Sequence, residues 1–381
     1  MIGADPAPIG LRSVLREWGR IGCIGFGGPP AHIALLRELC VTRRGWLTAR
    51  DFEDAVAACN LLPGPASTQL AIYCAWRVAG RPGALLGGLA FVVPGLVVIL
   101  ALSVPFLESA PPAWVRGAGA GAGAAVAAVA VHAGITLVGP SWRDTPDRVR
   151  WTLYIVAGSA SAATLGPWLV LVLLACGVVE LAVQRGASGA ALIAPVTAAL
   201  AGGGNLLALA WVALKVGALS YGGGFVIVPL MQSDAVDRYH WMTDGQFLNA
   251  VALGQVTPGP VMHTVAAVGY AAAGLGGGLL ATAVAFSPSF AFILLGGDRF
   301  DRLRRDRRAR AFLRGAGPAA IGAILGSAVP LALALAEPWQ VAVLVAAAVA
   351  ILALRRGVVL TLLAAAAVGA AIALAGGPLP G

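Results

Sequence analysis

The triplet Pro63-Gly64-Pro65 recurs 195 residues later as Pro258-Gly259-Pro260, and both copies interrupt long apolar runs. The same offset places Gly22, Phe26, Gly27 and Gly28 on Gly217, Tyr221, Gly222 and Gly223. Trp46, Thr48 and Phe52 fall on Trp241, Thr243 and Phe247, and the correspondence runs without a gap for about fifty positions. Such a repeat divides the chain into a first unit, 9–185, a connector, 186–204, and a second unit, 205–376.

What surrounds these breaks decides the solvent. Only 11% of the 381 residues are charged, 59% are apolar, and the mean hydropathy is +0.85. So few charges cannot cover the water-facing surface of a soluble protein of this size. Four plainer apolar stretches follow the two broken segments of each half, at 84–107, 117–140, 151–164 and 168–184, and at 279–297, 312–335, 339–354 and 357–376. With roughly 20 residues needed to cross a bilayer, the expected fold is an all-α polytopic membrane protein. Six segments per half and one crossing by the connector, 188–204, complete it.

The 26 basic residues include a single lysine, and eight arginines lie between Arg299 and Arg314. Short cytoplasmic loops collect arginine, so this net charge of +9 reads as orientation and not as a nucleic-acid surface. The first 81 residues hold nine arginines, while 208–276 holds only Lys215 and Arg238. Equivalent regions therefore lie on opposite faces: the repeat is inverted, with the N-terminus inside and the C-terminus outside. The two broken segments of each half read as re-entrant, dipping from the cytoplasm in the first half and from outside in the second. Met1 to Arg20 lacks the apolar core of a cleavable signal, and five cysteines without C-x-x-C spacing read as packing residues.

Glycine and proline breaks free backbone N–H and C=O groups, which persist in hydrocarbon only beside protein or a water-lined cavity. Four breaks at symmetric positions of an inverted repeat point to a transport site, with simple packing kinks as the competing explanation. Half-helices starting after the break at Gly27, Gly28, Pro29 and Pro30, after Pro63, Gly64 and Pro65, after Gly222, Gly223 and Gly224, and after Pro258, Gly259 and Pro260 would aim positive dipole ends inward, which suits an anion. Arg20 and Lys215 are equivalent, each seven residues before its glycine pair, and together could neutralise a dianion. Arg20 could equally snorkel to the interface. Asn60, Ser67, Thr68, Gln69, Gln255, Thr257 and Thr264 offer uncharged hydrogen bonds beside the breaks, and Ser67 and Thr257 could instead cap half-helices.

Proton coupling needs a titratable group, and the candidates are His32, Asp54 and His263; Asp54 also belongs to an acidic cluster that could simply start a helix. No hydrolase, metalloprotease or nucleotide-binding motif occurs, so no enzyme activity, metal or cofactor is expected.

At these residues the chain resembles the chromate ion transporter family in its long, two-domain bacterial form. The first-half marks are Phe26-Gly27-Gly28-Pro29 with Ala31-His32-Ile33, then Pro63-Gly64-Pro65-Ala66-Ser67-Thr68-Gln69. Those of the second half are Tyr221-Gly222-Gly223-Gly224 with Val228-Pro229-Leu230, then Gly254-Gln255 and Pro258-Gly259-Pro260. Asn60 stands where a glutamine is usual, and Tyr221 where a phenylalanine is. The resemblance implies export of chromate across the bacterial inner membrane by the proton motive force, with sulfate as a related anion. Rivals are a sulfate or other oxyanion transporter and a passive anion channel. The expected partners are the anion, a coupling proton and the lipid bilayer; a homodimer is left open.

Overall fold

The structure, a computed structural model, describes residues 9–61, 64–108, 111–143, 145–164, 169–185, 205–220, 227–296 and 306–380. The connector 186–204 therefore lies outside the described residues, as do Pro63, Gly222, Gly223 and Gly224. Among the described residues the chain is helical throughout, without strands.

The first half runs α1 (Leu11–Ile24), α2 (Pro29–Arg37), α3 (Ala49–Leu61), α4 (Ala66–Phe106), α5 (Ala113–Arg143), α6 (Arg148–Thr164) and α7 (Leu169–Arg185). The second runs α8 (Asn205–Leu219), α9 (Ile227–Gln232), α10 (Asp244–Val256), α11 (Thr264–Gly296), α12 (Arg307–Leu333), α13 (Pro338–Ala348) and α14 (Val358–Leu374). α2 and α9 each continue into a wider π turn, Glu38–Arg43 and Ser233–Arg238, 195 residues apart. α3 and α10 share that offset, and so do their caps. Thr48 exchanges hydrogen bonds with Asp51, and Thr243 forms a capping box with Gln246.

Among the described residues, four helices are long and apolar enough to cross a membrane: Ala66–Phe106, Ala113–Arg143, the α11 region Val261–Gly296, and Arg307–Leu333. Large apolar side chains such as Val97, Leu279, Leu295, Leu333 and Leu360 stand exposed on the outer surface, as a lipid-facing exterior requires. The chain is a multi-pass helical membrane protein.

Two boundaries differ from the sequence expectation. The break in the first segment spans Gly25 to Gly28, and Pro29 and Pro30 open α2, because proline fits the first turn of a helix, where its missing N–H is not needed. The apolar stretch expected from 84 is the second part of α4, which starts at Ala66 and kinks at Ala79 and Gly80. α11 kinks alike at Ala273 and Gly274. Pro82 follows its kink closely enough to sit in the first turn of the resumed helix, so it does not end it.

α1 packs on α4 and α8 on α11, while α12 packs against α5, α6 and α7, and α14 against α5. Both first-helix contacts depend on absent side chains. A Cβ on Gly22 would come under 3.0 Å from the Phe91 carbonyl, and one on Gly217 under 3.0 Å from that of Ala285. Small residues let backbones approach closely where lipid provides no hydrophobic drive for helix association.

Candidate functional site

The breaks of the two halves interlock by a reciprocal exchange. The Gly64 N–H donates to the Ser220 carbonyl at 2.6 Å, and the Gly259 N–H donates to the Gly25 carbonyl at 2.9 Å. Gly64 is the counterpart of Gly259, and Gly25 that of Ser220, so each P-G-P turn is tied to the end of the other half's first helix. Both glycines hold positive φ, 123° and 90°, a conformation that side-chain-bearing residues rarely adopt. Further contacts seal the crossing. The position of a Gly95 Cβ abuts the Pro258 carbonyl and the His263 ring, and a Cβ on Gly28 would rest 3.7 Å from the Val261 side chain.

The half-helices that start here lack side-chain caps. Neither Gly28 before α2, Pro65 before α4, nor Pro260 before the turn Val261–His263 receives one. Ser67 and Thr257 do not serve as caps. The Ser67 hydroxyl lies 3.3 Å from His32 Nδ1, and Thr257 Oγ1 has no partner among the described residues. Thr68 Oγ1, Ser220 Oγ, Gln255 Nε2 and Ser289 Oγ are likewise buried without one. Each such group costs about 1–3 kcal/mol when desolvated and unmatched, so a set gathered at one crossing calls for a polar occupant. Gln69 is fully buried beside Gly64, and the Thr264 hydroxyl donates to the Val261 carbonyl at 2.9 Å.

A sequence profile described as "Chromate transporter" matches residues 12–181 and 207–370, which take in every helix that builds this crossing. The chain belongs to the chromate transporter family. The "Chromate transport protein" of Cupriavidus metallidurans is 32% identical over 343 residues, covering 84% of this chain and 82% of its own. The one from Pseudomonas aeruginosa is 32% identical over 352 residues, 88% and 84% of the two chains. A "Probable chromate transport protein" of Synechococcus elongatus is 28% identical over 340 residues, 84% of each. No solved structure matches the chain.

Of the charged candidates in this family member, Arg20 is exposed on α1 and Lys215 is half-buried on α8. Lys215 is engaged: its Nζ lies 2.5 Å from Oδ2 of Asp234 in the π turn after α9. Sequence reasoning missed Asp234, whose counterpart is Leu39. His32 is fully buried, with Nε2 2.9 Å from the Gly25 carbonyl and its ring edge-on to Phe91 at 5.0 Å. It therefore shares that carbonyl with Gly259. His263 is fully buried against Phe286, with ring centroids 5.5 Å apart. Asp54 stands in the second turn of α3, about 10 Å along the helix from the break. Asn60 stands one residue before the end of the same helix, its side chain outside the described residues.

Among the described residues, cavities open where the second half meets the first. One of about 500 Å³ is lined by Glu108, Arg116, Gln246, Asn249 and Gln340. Another, of about 310 Å³, is lined by Gln232, Ser233, Asp237 and Asp244. Ser220 and Ser289 also escaped sequence reasoning. Ser289 had a signal, since Pro288-Ser289 repeats Pro94-Gly95 after 194 residues.

Proposed function

We propose that this protein is a secondary active transporter that exports chromate across the bacterial cytoplasmic membrane, driven by the proton motive force. The observation that carries the reading is the crossing itself. Uncapped half-helix starts, and buried hydroxyl and amide groups without partners among the described residues, lie around the place where the two halves exchange backbone hydrogen bonds. A tetrahedral dianion offers four acceptor oxygens and needs donors that cost little to reorganise, which such a crossing provides. Membership of a family whose relatives are named chromate transport proteins selects the anion.

In this reading 9–185 and 205–376 are repeats of opposite orientation, joined by a crossing within 186–204, with the N-terminus inside and the C-terminus outside. The arginine distribution supports it: Arg37, Arg43, Arg44 and Arg50 flank the first-half segments, whereas their equivalents carry one arginine, Arg238. The broken segments are re-entrant, and the interlocked turns sit near the midplane, where rocking of one half on the other exposes the site alternately. The anion is lined by the backbone at Gly27, Gly28, Pro63 to Pro65, Gly222 to Gly224 and Pro258 to Pro260. Asn60, Ser67, Thr68, Gln69, Gln255, Thr257 and Thr264 add side-chain contacts, and Arg20 and Lys215 supply charge. His32, Asp54 and His263 are the titratable groups assigned to the proton path. The chain performs no covalent chemistry in this account.

Flux of labelled chromate into proteoliposomes, with and without an imposed proton gradient and with sulfate as competitor, tests this. Saturable uptake that collapses with the gradient is expected. Flux that is linear in concentration and indifferent to the gradient would make the protein a channel, and sulfate flux without chromate flux would change the substrate.

A further inference from the structure

We propose that the two P-G-P turns are unequal, and that the anion binds at the first, around Gly64, where Ser220 and Ser289 supply hydroxyl donors; this rests on the anion-transport reading above. The two turns meet equivalent positions of the opposite half that carry different side chains. The Gly64 N–H is held by the Ser220 carbonyl, and Oγ of Ser289 on α11 lies 3.2 Å from where a Gly64 Cβ would stand. The Gly259 N–H is held by the Gly25 carbonyl, and a Cβ on Gly95 of α4 would come under 3.0 Å from the Pro258 carbonyl beside it. Ser220 and Gly25 are counterparts at the offset of 195 residues. Ser289 and Gly95 are counterparts at 194, the offset that also relates the kinks of α4 and α11 at Gly80 and Gly274. The first turn therefore meets serine at two places where the second meets glycine.

Imidazole fills the corresponding space at the second turn. The His263 ring stands where a Cβ on Gly95 or Gly259 would fall, and His32 Nε2 shares the Gly25 carbonyl with the Gly259 N–H. Their counterparts are Thr68 and Ile227, so the first turn receives a hydroxyl and an alkyl group in place of two rings.

The serine hydroxyls at the first turn are uncommitted. A buried hydroxyl on a helix can satisfy itself by bonding back to a carbonyl three or four residues earlier. Ser103, Thr282 and Ser327 do so, to Ile99, Gly278 and Ile324 at 2.8, 2.8 and 2.7 Å. Ser289 is as fully buried on α11 and makes no such bond, and Ser220 Oγ, just past the end of α8, has no partner among the described residues either. An unmatched buried hydroxyl is destabilising, and glycine at Gly25 and Gly95 shows that the shared backbone plan does not need serine at these places. An oxyanion satisfies both groups, since each hydroxyl can donate its proton to an anion oxygen. No proton is transferred, and no bond to the anion forms or breaks.

The test is equilibrium binding of chromate to the purified full chain in detergent, with the chromate-free thermal midpoint read alongside. Ser289→Ala and Ser220→Ala are each expected to weaken binding about 10- to 100-fold, as the loss of a hydrogen bond to a charged ligand does, with the thermal midpoint unchanged or raised because an unmatched buried hydroxyl is gone. Ser161→Ala removes a hydroxyl equally buried and unpartnered among the described residues, on α6 where it packs with α7 and α12, and is expected to bind as the wild type does. Should Ser289→Ala give no folded protein, Ser289→Cys, which keeps the shape with a weaker donor, takes its place under the same criterion. Wild-type affinity in either first-turn variant, or an equal loss in Ser161→Ala, overturns the assignment and leaves the transport reading standing. No chromate binding by the wild type removes that reading and the assignment with it.

Discussion

In the first half, Glu17 of α1 is ion-paired with Arg44 and, at 3.6 Å, with Arg43 in and after the π turn. In the second, Lys215 of α8 is paired with Asp234 of the equivalent turn. Both halves thus tie their first helix to the turn after their second, but with the charges reversed. The first-half tie uses an acid on the helix and spends two of many arginines, leaving Arg20 exposed. The second-half tie consumes its single lysine. One backbone plan therefore carries two wirings: an arginine-rich one that leaves Arg20 exposed, and one whose lysine is held by a buried carboxylate.

The largest way to break this comparison is steric. Gly217→Val and Gly22→Val each force a side chain into a carbonyl of the partner helix, and each is expected to cost at least about 3 kcal/mol and to abolish folded protein in the membrane. Fluorescence-detected gel filtration reads it; a normal monodisperse yield for either would show that the α1–α4 or α8–α11 contact is loose.

Next in size is charge. Lys215→Gln/Asp234→Asn, which strands no buried carboxylate, is expected to lower chromate transport about 100-fold or more at normal membrane yield, and Arg20→Gln only about tenfold, since the exposed arginine is screened and has neighbours. Proteoliposome initial rates decide it, and equal losses would erase the asymmetry.

A smaller effect separates the halves by packing. Trp18 Nε1 donates to the Ala71 carbonyl at 2.8 Å, whereas its counterpart is Ala213, which has no such donor. Trp18→Phe should cost about 1 kcal/mol, read as a lower thermal midpoint, with transport retained. Smallest is Arg116→Gln at the wall of the 500 Å³ cavity. Arg116 is exposed and bonded to the Pro380 carbonyl at 2.9 Å, so a change in KM of about twofold or less is expected.

Much of this was legible in the chain because the duplication is punctuated by residues with narrow backbone roles. Gly64 and Gly259 mark the turns, and Thr48 and Thr243 the caps. Trp46 and Trp241 hold equivalent places beside the π turns. The α4 boundary was not legible, since Pro82 and Gly83 look like breakers yet sit inside a resumed helix. Nor was Asp234, one of two acids in the polar stretch from Gln232 to Arg238, which reads as a solvated loop. Its burial follows from packing against α8, information that lies 19 residues away. Ser67 and Thr257 looked like caps by position, and only the tertiary contacts with His32 and the opposite half show them otherwise engaged or unmatched.

The central claim is that a chromate dianion occupies the interlocked turns. Equilibrium binding of chromate to the purified wild type and to Thr68→Val/Thr257→Val tests it most directly, because both hydroxyls are buried without a hydrogen-bond partner among the described residues. The account predicts affinity about 10- to 100-fold weaker with the thermal midpoint unchanged or raised. Wild-type affinity in the double variant would contradict it.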